Sequence, residues 1–312
     1  MLRAIRLEGD RIRAGGREAC EPGGTFWLDL GPDPDDLAWL GRRFGFHPLA
    51  LEDCAHLDQR PKFEDYPEAL FAVIHRLTPL PDDSGLEANE VHAFLTPEAL
   101  VTVHAAVIPE LDRVFARCAA EPPLLARGPD FALYLLFDAV TDAHFAVADA
   151  LTDEIDDLSA QVVSQEGDGE LMGRILAARR AHALMRRRLA PQREVMAALA
   201  RPGDGRVHDR NAVYFRDVLD HLVRITEEID TGRDLLASTM DAHLSMVNNR
   251  LNAVMTRLAV FSTIFLPLTF LTGFFGMNVR NLPEPWGMAV MLAAAALLPP
   301  AMILWFRRKR WL

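Results

Sequence analysis

Asp241, Asn248, Met255, Ser262, Thr269 and Gly276 stand seven residues apart, and Ser245, Asn252, Ala259, Leu266 and Gly273 interleave with them. A spacing of about 3.5 residues marks one seam of a long helix, the side that turns toward a bundle axis. In an ordinary coiled coil that seam is leucine and isoleucine. Here it is small or polar, with Met255 and Leu266 as the apolar exceptions. Polar groups at membrane depth face water or partners rather than lipid. Several copies around an axis would line a narrow wet lumen with two apolar constrictions. Contact between helices through small residues is the other reading. The stripe continues beyond the apolar span as Asp, Ser and Asn, which favours the lumen. At its far end come Gly276-Met277-Asn278, then Arg280 and Glu284. A ring of Asn278 amide oxygens offers dipoles without full charge. That suits a cation held through its hydration shell, and Mg2+ gives up water reluctantly. One Glu284 per copy would raise the local cation concentration.

Two apolar segments must position these groups. Residues 258–275 are 18 without a charge and 286–306 are 21 without a charge. At ~1.5 Å per residue they reach ~27 and ~31 Å, about one hydrocarbon core. A pair of buried helices in a large core is the alternative. The flanks favour a membrane: Arg250 and Arg257 precede the first segment, and Arg307-Arg308-Lys309-Arg310 follows the second. Positive residues at both outer flanks place the termini inside and the Gly-Met-Asn turn outside. No proline lies between Pro202 and Pro267, so one helix is predicted from about Asn211 to Phe275. Pro267 removes one backbone hydrogen bond beside Leu266.

Upstream, the region before residue 130 holds 13 of the 20 prolines and reads as mixed α/β. Strands are predicted at 25–30, 69–77, 90–95 and 100–107. Helices are predicted at 34–44 after an Asp33 cap, at 48–56 and at 109–120. From Asp130 the apolar spacing changes to three and four, predicting two antiparallel helices around Gly167-Asp168-Gly169. The first carries Asp149, Asp153, Glu154, Asp156 and Asp157. They read as a solvated face, or as a run that feels cations or the basic tail.

The net charge is −11, and the four-residue basic tail makes the remainder −15 (33 − 44 = −11; −11 − 4 = −15). No basic stripe is available for phosphates, so nucleic acid is excluded as a partner. Three scattered cysteines, Cys20, Cys54 and Cys118, read as reduced thiols of a cytosolic body. The start, MLRAIRLEGD, lacks the apolar stretch of a signal peptide. No phosphate loop, GxSxG elbow or HExxH helix is present, so an anchored enzyme finds no support.

The triplet Gly276-Met277-Asn278, the segment LPLTFLTGFFGMN, the outer Pro283-Glu284 and the ending WFRRKRWL resemble the CorA family of divalent-cation channels. FGFHPLALEDC and QRPKFEDY, within residues 44–66, and YFRDVLDHL at 214–222 resemble family segments too. The resemblance implies an α+β fold: an αβα cytoplasmic domain, a long stalk helix and a two-helix transmembrane hairpin in a funnel-shaped homopentamer. It implies that Asn278 forms the outer selectivity ring, with Gly276 and Met277 shaping the turn. Family pore positions fall on Thr269, Leu266, Leu258, Met255, Asn252 and Asp241, with Leu258 offset by one from the stripe. It also implies Mg2+ as cargo and as a regulatory ligand between subunits, and no resident cofactor. Asp217 matches a carboxylate of that regulatory site, with its partner near Asp82, Asp83 or Glu87.

Phe275 stands where many magnesium members carry Tyr, the outer loop is short, and FFGMN is similar to the related ZntB zinc transporters. Retention of Glu284, Asp217 and Asp241 favours magnesium and cobalt. For zinc, His92, His104, His182, His208, His221 and His243 are the candidate ligands, and none forms an HxxxH pair. The expected parts are a mixed α/β part (1–128), acidic antiparallel helices (129–206), a stalk (207–257), a pore-lining span (258–275), an external loop (276–285), a second span (286–306) and a basic cytoplasmic tail (307–312). The expected partners are divalent cations, the bilayer of the inner membrane and further copies of the chain.

Overall fold

The computed structural model describes residues 2–80, 85–164, 170–201, 203, 205–276 and 286–309. Seven strands come first in the chain, interleaved with short helices. They are β1 (Leu2–Glu8), β2 (Arg11–Gly15), β3 (Phe26–Leu30), β4 (Lys62–Asp65), β5 (Leu70–Pro79), β6 (Leu86–Leu95) and β7 (Ala99–Val103). They form one sheet in the order β2-β1-β3-β7-β6-β5-β4, antiparallel except for the β3–β7 pair. Two helices, α1 (Pro34–Phe44) and α2 (Pro48–Ala55), connect β3 to β4. After the sheet come α3 (Pro109–Ala120), α4 (Pro122–Ala126), α5 (Pro129–Ser164), α6 (Leu171–Leu199), α7 (Asp209–Gly276) and α8 (Trp286–Arg308).

Alternation along the strands divides the apolar residues between two cores. Phe26, Leu28 and Leu30 of β3 face Leu37, Leu40, Ala50 and Cys54 of α1 and α2. Trp27, between them, joins the other core with Leu111, Phe137, Met185 and Leu189. The central strands are therefore buried on both faces, and every residue of β3 and β7 is buried, Asp29 and Thr102 included. Local chemistry sets the helix bounds. The Asp33 carboxylate accepts from the amides of Asp35 and Asp36, Pro34 starts α1, and Gly45 ends it at φ +70. Residues 104–107, expected to extend β7, leave the sheet instead. The His104 ring turns back to the Ala106 carbonyl at 2.6 Å and to Asp29 at 3.1 Å.

The short β4 pairs only with residues 70–73 of β5, so the outer edge of β5 stands open beyond it. Two helical side chains close that edge. Gln192 accepts from the His75 amide and donates to its carbonyl, each at 3.3 Å, in place of a strand. One turn of strand further on, the Leu77 amide donates to His144 Nε2 at 3.4 Å. An open edge is a liability that sheets must cover, and here the cover ties α5 and α6 to the sheet.

Residues 1–239 and 240–312 form two compact units. In the first, Phe215, Val218, Leu222, Ile225 and Ile229 of α7 join the core at spacings of three and four. Gly232 follows where α7 comes against α5 and α6. A Cβ there would lie 2.7 Å from His182 Nε2 and 3.0 Å from Ile155 Cδ1. At an exposed helix site Gly→Ala gains about 1 kcal/mol, whereas overpacking costs about 1–3 kcal/mol. Gly232→Ala is therefore expected to lower the melting temperature of the full chain, and in a His182→Ala background to raise it. A higher melting temperature for Gly232→Ala alone would contradict this packing.

Burial also fixes two imidazoles as neutral. It pushes His144 down to about 3, and it pushes His75 down to about 4 against the pull of Glu90. The unfolded chain takes up these protons first, so their contribution is full above about pH 6.5 and falls as pH drops toward 4. The loss is roughly 1.4 kcal/mol per pH unit for each group. In urea titrations at pH 7 and 5, His144→Gln is expected to lose less stability on acidification than the native chain. His104, raised by Asp29 against its burial, contributes with the opposite sign in both proteins and cancels from the comparison.

Candidate cation path and metal centre

Within the 240–312 unit, α7 has three distinct sides. Val260, Ile264, Leu268, Leu271 and Phe275 are buried or half-buried, a face recurring at four and three residues. At about 100° per residue, the polar stripe centred on Ser262, Thr269 and Gly273 lies on the opposite side. Its members Asp241, Asn248, Asn252, Met255, Ser262, Leu266, Thr269 and Gly273 are all exposed. Between these two sides runs a third: Leu244, Val247, Leu251, Val254, Leu258, Phe261 and Phe265, at alternating spacings of three and four. Every one is exposed, from 41% at Val247 to 66% at Leu258. Sequence reading found the polar stripe but passed over this apolar neighbour, whose heptad pattern was available. Leu258 stands at the border of the two.

Hydroxyls within the span turn their protons inward. Thr263 donates to the Ala259 carbonyl at 2.7 Å and Thr269 to that of Phe265 at 2.9 Å. A hydroxyl has one donor and two acceptor lone pairs, so Thr269 keeps acceptor lone pairs on its oxygen. Pro267 lies inside the helix and leaves the Thr263 carbonyl without its amide donor.

A second arrangement lies in the 1–239 unit. Asp217 and His221 are one turn apart on α7 and face Asp138 of α5. One ligand atom from each lies within 4.8 Å of the other two. Asp142 adds a fourth group, with its carboxylate 3.7 Å from His221 Nδ1, too long for a hydrogen bond. His221 Nδ1 is buried without a hydrogen-bond partner. None of the three carboxylates pairs with Arg or Lys among the described residues. Burial, then the charges of Asp142 and Asp217, push the Asp138 carboxyl up, and burial followed by Asp138 and Asp217 pushes Tyr134 up to about 12. Uncompensated negative charge around an unpartnered imidazole fits a divalent cation. Two oxygens and a nitrogen accept Mg2+ with retained waters, and the nitrogen also suits Co2+ or Zn2+. Asp138 escaped sequence reading, although it is a lone carboxylate in the apolar run FALYLLFDAV.

Met277, Asn278 and Glu284, and Asp82 and Asp83, lie outside the described residues. Gly276 ends α7. Glu87 is exposed on β6, opposite Thr78 of β5, and is not part of the cluster. Most candidate zinc histidines have other partners: His92 meets Glu90 at 2.9 Å, His182 the Ala178 carbonyl at 2.9 Å, His208 Asp130 at 3.0 Å, and His104 Asp29. His243 is buried on α7. Within the acidic run, Arg174 of α6 bridges Glu154 and Asp157, each at 2.8 Å. Part of that run is thus paired in place.

Among the described residues, three helices are long and apolar enough to cross a membrane. In α5 more than half of the apolar window is buried inside the protein; in α7 and α8 only 6% is. The chain matches the CorA-like Mg2+ transporter protein family over residues 23–308. It belongs to that family. The chain is 33% identical over 282 residues to the cobalt/magnesium transport protein CorA of Thermotoga maritima, covering 89% of this chain and 80% of that protein. It is 23% identical over 293 residues to the zinc transport protein ZntB of Yersinia enterocolitica, covering 92% and 88%. The complete structure of the CorA magnesium transporter from Methanocaldococcus jannaschii superposes with a TM-score of 0.86 at 22% identity, over 100% of this chain and 99% of that one. The shared fold is an N-terminal α/β domain followed by long helices. The CorA family is one of divalent-cation transporters, not enzymes.

Calorimetric titration of the purified chain checks the cluster. Asp138→Asn and Asp217→Asn are each expected to weaken Co2+ and Mg2+ binding by at least about tenfold. His221→Ala is expected to weaken Co2+ more than Mg2+, because nitrogen suits the softer ion. Unchanged affinity in all three variants would show that the cluster holds no cation.

Proposed function

We propose that several copies of this CorA family chain, five by resemblance to the family, surround a pore that carries Mg2+, and with it Co2+ and Ni2+, into the cell. The observation that carries the reading is the pair of stripes on α7. Within the span, the polar stripe cannot face lipid without leaving the Ser262 hydroxyl and the acceptor lone pairs of Thr269 unsatisfied. The apolar stripe continues from the span into Leu244, Val247, Leu251 and Val254, where water would meet it. Exposed apolar repeats of that kind are covered by a partner, and a second α7 has the matching repeat. Rotating each helix so that its apolar side meets a neighbour turns the polar side toward the axis. In this reading α7 and α8 span the inner membrane, with both termini on the cytoplasmic side. Leu266 and Met255 form the constrictions, Asn278 the outer selectivity ring, and Glu284 gathers cations.

The cluster on α5 and α7 supports regulation by cytoplasmic cation. With an ion held by Asp138, Asp217 and His221, the carboxylates draw the two helices together. Without it they repel, and α7 is released at that turn. A carboxylate of a neighbouring copy at Asp82, Asp83 or Glu87 would complete the site. An ion that favours one state of α7 shifts the channel by its difference in affinity for the two states, and no further.

A zinc-carrying channel is the second reading. It draws on the ZntB relative and on His221, the candidate histidine that lies in the carboxylate cluster with Asp138 and Asp217. Flux into liposomes separates the two. Mg2+ entry independent of a proton gradient, lost in Asn278→Ala, is expected. Zn2+ entry that follows the gradient, with little Mg2+ flux, would transfer the chain to the zinc reading.

A further inference from the structure

Outside the pore helix and the carboxylate cluster, the α5–α6 hairpin carries two unspent charged faces. On α5, Asp149, Asp153 and Asp156 recur at spacings of four and three, on the side away from the buried Ile155, Leu158 and Val162. On α6, Arg180 and Arg187 stand two turns apart with Arg179 beside them, on the side away from the buried Ile175, Met185 and Leu189. All six charged side chains are exposed, and none has an ion-pair or hydrogen-bond partner among the described residues. Their neighbours are satisfied: Arg174 bridges Glu154 and Asp157, and Arg186 meets Asp230 at 2.6 Å. The hairpin thus uses up its charges where its own helices meet and leaves one acidic and one basic face unmatched.

We infer that the basic face of α6 docks on the acidic face of α5 in a second copy of this chain. The two faces have the same rise. Asp149 to Asp156 and Arg180 to Arg187 each cover two turns, about 10 Å, so two rungs of opposite charge can meet in register. The contact is head-to-tail, because each copy offers both halves on different surfaces, and a contact of that kind forms a ring where its rotation closes. The pairs are exposed, so each contributes little to affinity; their effect is on the rejection of wrong partners, since like charges would meet if α5 faced α5 or α6 faced α6. The inference rests on the assembly of several copies proposed above and adds a surface to it.

The test uses the full chain in lipid nanodiscs. Two differently tagged copies are co-expressed, one Asp153→Cys and the other Arg180→Cys, and treated with a short bismaleimide. The native cysteines are buried and do not interfere. A cross-link joining the two tags is expected, with a several-fold lower yield when both copies also carry Arg187→Asp and recovery of the yield when Asp149→Arg is added. If an amine cross-linker still yields the full ladder of oligomers but the two tags never join, this contact is wrong and the assembly stands. If no ladder forms at all, both fall. Binding of the α6 arginines to anionic vesicles, lost in Arg180→Asp and not recovered by Asp153→Arg, would assign that face to a lipid surface and overturn the inference.

Discussion

A helix with an apolar span of bilayer length and a row of Asn, Ser and Thr along one side has an unsatisfied side wherever lipid surrounds it. Everything else about α7 follows from that constraint. One side packs inward through Val260 and Ile264, the opposite side is polar, and the side between repeats Leu, Val and Phe at three and four. Only an arrangement that covers the apolar side and wets the polar one satisfies all three at once. A ring of identical helices does so with no further component. The apolar exceptions, Met255 and Leu266, then fall on the wet side, where dewetting can close a narrow passage.

The first part of the same helix is held differently. Phe215 to Ile229 sink into the core beneath the sheet, and Gly232 permits close contact with His182 and Ile155. Asp217 and His221 lie within this packed stretch, facing Asp138. Carboxylates crowded without an Arg or Lys store repulsion that a divalent cation relieves. In the proposed reading, an ion held at the packed end of α7 acts on the same helix that carries the polar stripe, so one element would link the two.

Much of this was legible in the sequence, and the gaps have physical causes. Pro at the first turn and the Asp33 cap placed α1 and α3 to the residue, and freedom from proline placed α7. The strands β1, β2 and β4 were missed. β1 and β2 are rich in arginine because they lie toward one edge of the sheet, and the four residues KFED of β4 are too short to show a period. The closing of the β5 edge by Gln192 and His144 joins residues far apart in sequence, so no local pattern announces it. Asp138 stood out as a lone carboxylate in an apolar run, but its partners Asp217 and His221 lie far along the chain, so its role did not show. The polar stripe was read because polar residues in an apolar span are conspicuous; its apolar neighbour was not, because leucine and phenylalanine there look like any lipid-facing side.

The most direct measurement is cysteine accessibility along α7 during cation flux, using a water-soluble thiol reagent on single variants in liposomes. Cysteine at Asn252, Ser262 or Thr269 is expected to give a flux that the reagent blocks. Cysteine at Phe261 or Phe265 is expected to leave flux unaffected by it. Block from the apolar positions with silence from the polar ones would contradict the assignment of the pore to the polar stripe.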